Sequence, residues 1–214
     1  MKKRKNTADK QLSGSFRLGN KNADPNPFKQ FSAWFREAER SGIDEYDPMH
    51  LATSGHDGRP AGRMVLLKSF DSRGFVFYTN YRSAKGKALL ENPYVALTFY
   101  WKELKYQIRI QGKAIRLPGS ESDEYFASRP PESRAGSAVS PQSEVIPDRR
   151  VLEKKWKDLM KKTGPAGPER PEFWGGFLVK PYLFEFWKGR GHRLHDRIRY
   201  RLIKGKWVMD RLAP

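Results

Sequence analysis

The chain has 214 residues, 37% of them hydrophobic and 13% aromatic, enough for one well-packed domain and too few for two. Forty-two Lys and Arg against 24 Asp and Glu give a net charge of +18, which suits a phosphate-bearing partner, whether a nucleic acid or a small ester. The absence of cysteine excludes disulfides and thiolate metal sites, and no run reaches the roughly 20 apolar residues of a membrane span, so a cytoplasmic protein is expected.

Residues 1–24 hold seven basic and two acidic side chains and no hydrophobic period, so 1–23 read as a disordered tail ahead of a single domain over 24–214. Nor does the basic start from Met1 to Lys5 lead into the apolar stretch of a signal peptide. Asn26-Pro27 reads as a helix cap followed by proline at the first helical position, and Phe28, Phe31, Trp34, Phe35 and Ala38 share one face. The pattern then becomes β. A strand over Met49–Thr53, a turn at Gly55-His56-Asp57-Gly58 and strands over Arg63–Phe70 and Phe75–Thr79 are predicted. A short helix at Ser83–Glu91 precedes strands at Tyr94–Trp101 and Lys105–Leu117. In the latter, Tyr106, Ile108 and Ile110 alternate with Gln107, Arg109 and Gln111, so one face is apolar.

Glu121–Ser128 reads as helix. The polar stretch Arg129–Asp148 is too long for an idle connector and is read as a functional loop. A helix at Arg150–Lys162, a Pro/Gly connector at Gly164–Pro171 and strands at Trp174–Val179, Leu183–Trp187, Arg197–Ile203 and Trp207–Leu212 complete the chain. Tight turns between antiparallel strands, with helices outside, predict a mainly β, α+β barrel or sandwich. No GxGxxG follows a strand, which argues against a Rossmann site.

Three clusters carry possible chemistry. Arg63 and Lys68 lie five residues apart, on opposite sides of a regular strand unless a bulge intervenes. Tyr78 to Lys85 runs from a strand into a helix start, where free N–H groups and the helix dipole favour phosphate. From spacing alone, both are equally well read as ordinary surface cations. The third, Trp187 to Arg197, packs His192, His195, Asp196 and three arginines around a glycine turn. Its cations oppose a divalent metal, so an anion or redox-cofactor site is favoured over a metal site or an idle hairpin.

Arg193-Leu194-His195-Asp196-Arg197 and the terminal Asp210-Arg211-Leu212-Ala213-Pro214 resemble the pattern of the pyridoxine/pyridoxamine 5′-phosphate oxidase family. The likeness continues, in the family's order, through Phe173–Phe177, Glu185-Phe186-Trp187, Gln142-Ser143, Ser128-Arg129-Pro130 and Arg63–Lys68. It implies a Greek-key-like FMN-binding split β-barrel and a homodimer with FMN at the interface. It also implies oxidation of pyridoxine and pyridoxamine 5′-phosphates, at CH–OH and CH–NH2 groups, to pyridoxal 5′-phosphate. The C4′ carbon would deliver a hydride to flavin N5, with dioxygen as final acceptor and hydrogen peroxide as product.

By the same resemblance, Arg63 and Lys85 hold the FMN phosphate, with Tyr78 and Thr79 lining it. Met64, Val65, Leu66, Leu67 and Lys68 surround the cofactor. Gln107, Gln142, Ser143, Trp187 and Arg197 complete its contacts. Lys68, Tyr125, Arg129 and Ser133 take the substrate phosphate, while Arg193, Leu194 and His195 lie over the pyridine ring, Arg193 and His195 as the catalytic pair. No metal, membrane or nucleic-acid partner is implied. Two departures stand out. Ala84 occupies a position where some members have a further FMN-phosphate arginine, for which Arg82 is the substitute, and the tail lacks the Arg-Arg-Glu-Tyr segment that covers substrate in some bacterial members. The rival enzyme reading is an FMN-dependent oxidase of the phenazine-biosynthesis type. A nucleic-acid module is the rival outside enzymes, supported by charge alone and lacking any recognisable binding motif.

Overall fold

The computed structural model describes residues 18, 19 and 22–214, and most of the expected tail lies outside them. Of that tail, Leu18 and Ala23 are buried, and the Leu18 carbonyl accepts a 2.9 Å bond from Arg211. The described residues form nine strands and five α-helices, arranged as two compact units. In hydrogen-bonded order the strands run β2-β1-β5-β6-β7-β4-β3, with β8 pairing with β7 and β9 with β8.

One unit comprises residues 47–97 and 111–182. Here β1 (Pro48–Ser54) pairs antiparallel with β2 (Pro60–Leu66) across the predicted turn, closed by Gly58 N–H to Gly55 O at 3.2 Å. The strand predicted over Arg63–Phe70 is in fact two, β2 and β3 (Ser69–Asp71). Leu67 N–H donates to Asp47 O and Lys68 N–H to Val76 O, so the chain changes partners there and the ladder breaks. β3 pairs with β4 (Gly74–Asn80), and β4 pairs with the first half of β7 (Trp174–Lys188), where Phe77 stacks on Phe177.

Three helices of this unit occupy the segment from Gly119 to Thr163: α3 (Gly119–Ala127), α4 (Pro131–Val139) and α5 (Arg149–Thr163). The stretch Arg129–Asp148, expected as a loop, thus contains a helix. Pro131 suits its first turn, where a missing N–H costs nothing, and its one buried side chain, Ala135, gives almost no periodic signal. β7 is also one strand, where two were expected. β4 covers Trp174–Val179 and β8 takes over only at Leu183, so Pro181 falls in the interval where neither strand pairs with β7.

The other unit comprises the chain through Tyr46 with residues 98–110 and 183–214. α1 (Pro27–Arg40) begins as predicted: the Asn26 side chain accepts from Phe28 N–H at 2.9 Å, and Pro27 sits in the first turn. Its apolar face supplies Phe31, which meets Phe99 edge-on at 5.2 Å, and Trp34, which stacks on Tyr106 at 3.9 Å. Phe186 and Tyr200 continue this aromatic core. Each fully buried ring contributes about 1.5–3 kcal/mol of burial free energy, so these contacts hold α1 down. β5 (Tyr94–Trp101) and β6 (Tyr106–Arg116) pass through both units, and β6 alternates buried and open residues as the sequence predicts. The strands β8 (Asp196–Ile203) and β9 (Lys206–Arg211) form the terminal antiparallel pair.

Candidate functional site

A cavity of about 410 Å³ opens in the unit built on β1–β4. Met64, Val65 and Leu66 of β2 and the following Lys68 form one wall, while Tyr78, Thr79 and Asn80 of β4 form another. Lys85 of α2 (Ala84–Glu91), Tyr125 of α3 with Arg129 after it, Ser137 of α4 with Ser140 and Gln142 after it, and Trp174 of β7 close it. The cavity therefore brings together five separate chain segments.

The β4–α2 corner is fixed by its own side chains. Ser83 caps α2, accepting from Gly86 N–H at 3.2 Å and donating to Asn80 O at 2.7 Å. Asn80 Oδ1 in turn accepts from Arg82 N–H at 2.7 Å. Position 86 has to be glycine, because a Cβ there would strike the carbonyl groups of Tyr81 and Asn80. This geometry turns Lys85 inward. Its ammonium donates to Thr79 Oγ1 at 3.1 Å, Ser83 Oγ at 3.3 Å and Gln142 Oε1 at 2.9 Å, all neutral oxygens. Burial, and then the nearby charge of Arg63, lower its pKa to about 8. Arg63 itself donates to Leu51 O at 3.1 Å and Thr53 Oγ1 at 2.7 Å, and burial lowers its pKa too. Two partly desolvated cations bonded to neutral oxygens form a place for an anion.

A second cationic station stands in the same cavity. Arg129 donates to Ser137 Oγ at 3.0 Å and Ser133 O at 3.2 Å, and its guanidinium lies 4.9 Å over the Trp174 ring. Burial lowers its pKa. Lys68 lies 3.5 Å from Asp47. The same cavity holds a stack of rings, Tyr78 on Tyr125 at 3.9 Å and Tyr78 on Trp174 at 5.3 Å, within 15° of parallel. Burial raises the Tyr78 pKa to about 12 and raises that of Tyr125 as well, so both hydroxyls remain protonated donors at neutral pH.

Not every expected residue lines this cavity. Arg63 acts beside it through charge, Leu67 is buried, and the Ser133 and Ser143 side chains are exposed outside its lining. Arg82 lies over the Phe173 ring at 5.0 Å and does not line it either. Asn80, Ser137, Ser140 and Trp174 do, and the sequence reading gave them no site role. Ser137 follows from the unforeseen helix, and the Phe173–Phe177 block was the one sign pointing to Trp174.

Gln107, Trp187, Arg193, Leu194, His195 and Arg197 belong to the other unit. There Arg197 makes two bonds to Glu185, at 2.9 and 2.7 Å, and a third to Ala213 O at 2.9 Å. Arg109 takes the other Glu185 oxygen at 3.1 Å. Asp196 pairs with Arg190 at 2.8 Å and Arg211 at 3.2 Å. Burial works against its charged form, but the bonds from Arg190 and Arg211 outweigh that and lower its pKa. It is thus a structural anchor for two arginines. The His195 ring packs against Trp187 at 4.6 Å, and Gln107 is half-buried on the polar face of β6. Arg193 and Leu194 are exposed, and His192 and Arg193 have φ near +57° and +59°.

The pattern of the family described as Pyridoxamine 5'-phosphate oxidase matches residues 35–160. That of the Pyridoxine 5'-phosphate oxidase C-terminal dimerisation region matches residues 174–214. The pyridoxine/pyridoxamine 5'-phosphate oxidase of Gloeothece citriformis is 52% identical over 193 residues, covering 90% of each chain. That of Haemophilus influenzae is 49% identical over 189 residues, covering 88% of this chain and 90% of its own. Among solved structures, PhzG from Burkholderia lata, in complex with tetrahydrophenazine-1-carboxylic acid, superposes with a TM-score of 0.88 at 30% identity, covering 93% and 98% of the two chains. A pyridoxamine 5'-phosphate oxidase-related, FMN-binding protein from Nostoc punctiforme has a TM-score of 0.72 at 18% identity, covering 89% of this chain and all of its own, and shares the split-barrel fold. The chain belongs to the pyridoxine/pyridoxamine 5′-phosphate oxidase family.

Proposed function

We propose that this protein is an FMN-dependent oxidase converting pyridoxine and pyridoxamine 5′-phosphates to pyridoxal 5′-phosphate. The carrying observation is one cavity that holds two groups of cations together with an aromatic stack. Lys85 with Thr79 and Gln142 forms one, Lys68 with Arg129 and Tyr125 the other. A phosphate dianion needs converging cations and protonated hydroxyls, and this reaction presents two phosphates, one on FMN and one on the substrate.

The residues fit that cofactor. Lys85, aided by the charge of Arg63, would take its phosphate, and Gln142 would add a further contact. When bound, FMN accepts two electrons from the substrate and passes them to dioxygen, giving hydrogen peroxide. The protein's own part is to orient and neutralise. Lys68 and Arg129 fix the substrate by its phosphate, and the Tyr78–Tyr125–Trp174 stack supplies a flat wall.

A homodimer, with FMN at its interface, fits the match of residues 174–214 to a dimerisation region and the exposed Leu194, Leu202, Ile203 and Val208 within it. Among the described residues no helix is long and apolar enough to cross a membrane. A cytoplasmic setting accords with the cysteine-free sequence.

The test is an anaerobic titration of the FMN-loaded protein with pyridoxine 5′-phosphate, followed by visible absorbance. Bleaching that reverses on admitting air is the expected result. A protein that stays yellow removes pyridoxine 5′-phosphate as substrate, and a phenazine-type substrate, which leaves Lys68 and Arg129 without a phosphate to hold, is then tried in its place.

A further inference from the structure

The helix α5 carries seven cations and two acids in 15 residues, and none of its side chains is buried. Its half-buried residues, Leu152, Trp156 and Leu159 among them, share one side, and Trp156 ties that side to α4 by donating through Nε1 to Glu132 O at 3.0 Å. The opposite side is open. Arg150, Lys154, Lys157 and Lys161 follow one another there at steps of four, three and four residues. At 3.6 residues per turn this sets them in one stripe about 16 Å long. All four are exposed, and Lys155 and Lys162 flank them. The carboxylates do not match this charge. Arg149 takes Glu153 and Arg150 takes Asp148, each at 2.8 Å, while among the described residues the five lysines of α5 form no salt bridge.

Helix stability does not account for the stripe. Cations three and four residues apart repel one another, and the helix dipole opposes Arg149 and Arg150 in the first turn, where no acid stands. The dipole suits only Lys161 and Lys162 at the far end. Nor does the cavity use these charges, since none of the five lysines lines it. A row of exposed cations on an open helix face is the complement of a polyanion. The geometry points to α5 as a docking surface for the phosphate backbone of a nucleic acid. One strand carries a phosphate per about 3.4 Å of axis, so the stripe sets four cations against about five phosphates. A bilayer is the poorer partner, because the apolar side that would enter it is turned to α4. Trp156 is held on that side too, so α5 presents no ring for bases to stack on, and the docking reads charge without reading sequence. This inference is independent of the oxidase reading.

The test measures binding of a labelled single-stranded RNA oligonucleotide to the FMN-loaded full chain, by fluorescence anisotropy over a series of salt concentrations. Lys154→Gln, Lys157→Gln and Lys161→Gln, combined in one variant, keep good helix formers in place and remove three phosphate contacts. The slope of log K against log salt should become shallower by about 2, with weaker binding at low salt. A reference variant combining Lys102→Gln, Lys113→Gln and Lys206→Gln removes the same charge from exposed positions elsewhere and should leave the slope nearly unchanged. The basic N-terminal segment is common to all three proteins, so the difference between them belongs to α5. Equal losses in both variants would show that overall charge alone attracts the RNA and would overturn the assignment, as would a wild-type protein that does not bind it. Cosedimentation with vesicles containing phosphatidylserine completes the test. Vesicle binding that the α5 variant abolishes, with RNA binding unmoved, gives the face to a membrane surface and overturns the assignment too. None of these readouts depends on flavin reduction by any substrate.

Discussion

Raising the pH should weaken FMN binding to the apoprotein, and Lys85 is the side chain responsible. Burial and the Arg63 charge hold its pKa at about 8, and its three hydrogen bonds go to neutral oxygens that do little to replace the lost hydration. A phosphate dianion replaces it. Binding therefore returns the Lys85 pKa toward its ordinary value of 10.5, and the affinity falls wherever the free protein has released the proton and the complex has not. The window opens at about pH 8 and closes toward the ordinary lysine value. One coupled proton sets a limit of about tenfold weaker binding per pH unit, and the slope should be shallower because water still reaches part of the side chain. The phosphate's second ionisation, near pH 6 for a phosphate ester, at about that value, is complete below this window. Stability of the apoprotein runs the other way. The folded pKa is depressed, so the unfolded chain holds more protons between about pH 8 and 10.5, and stability rises with pH there. Quenching of FMN fluorescence, titrated across this range, reads the affinity directly. Lys85→Met should bind more weakly at neutral pH and lose the slope. A flat wild-type profile above pH 8, or an undiminished slope in Lys85→Met, refutes the reasoning.

Arg129→Met removes a guanidinium whose charge-assisted bond to phosphate is worth about 1.5–3 kcal/mol, so KM for pyridoxine 5′-phosphate should rise about ten- to a hundredfold with a smaller change in kcat. Steady-state kinetics showing an unchanged KM would take Arg129 out of the phosphate station. Glu185 is 7% exposed and answers both Arg109 and Arg197, which still reach water, so Glu185→Gln should lower stability by about 1.5–3 kcal/mol, the scale of a charge-assisted hydrogen bond, in urea unfolding. An unmoved midpoint would show that the pair adds nothing. Gly175→Ala sets a Cβ against the Tyr81 hydroxyl and 3.0 Å from Ser122 Oγ; this overpacking should cost about 1–3 kcal/mol, read as a lower Tm.

The features legible in the sequence are those written by local chemistry. Asn26-Pro27 and Ser83 announce helix starts because a side-chain cap needs only its own neighbours. The alternation of Tyr106, Ile108 and Ile110 announces β6 because one face of that strand is buried. Where partners decide, the sequence reading went astray. Nothing local separates β2 from β3 at Leu67, since the break comes from Asp47 and Val76 capturing two successive N–H groups. Pro181 looks like a strand end, yet β7 runs through it because the neighbours on one side change there. The site was affected in the same way. Of Lys68, Tyr125, Arg129 and Ser133, expected at the substrate phosphate, the first three line the cavity, and α4 adds Ser137, four residues and one helical turn beyond Ser133. Arg63, expected at the FMN phosphate, bonds Leu51 O and Thr53 Oγ1 and acts on Lys85 through its charge.

A net charge of +18 does not by itself choose between a nucleic acid and a small phosphate ester. Desolvation is what separates them. Cations that meet a polyanion along an open face stay hydrated until contact and keep their ordinary pKa values. Lys85, Arg63 and Arg129 do not: burial lowers the pKa of each, and their hydrogen bonds go to Thr, Ser, Gln and backbone oxygens. Holding such groups inside a cavity costs the fold stability. That cost is recovered only when a compact anion enters and replaces the missing water, as a phosphate ester can and a duplex backbone cannot. The Tyr78–Tyr125–Trp174 stack adds a flat surface in the same cavity, suited to an aromatic ring that carries such a phosphate. The charge that first suggests nucleic acid is, at these positions, the mark of a small-molecule site.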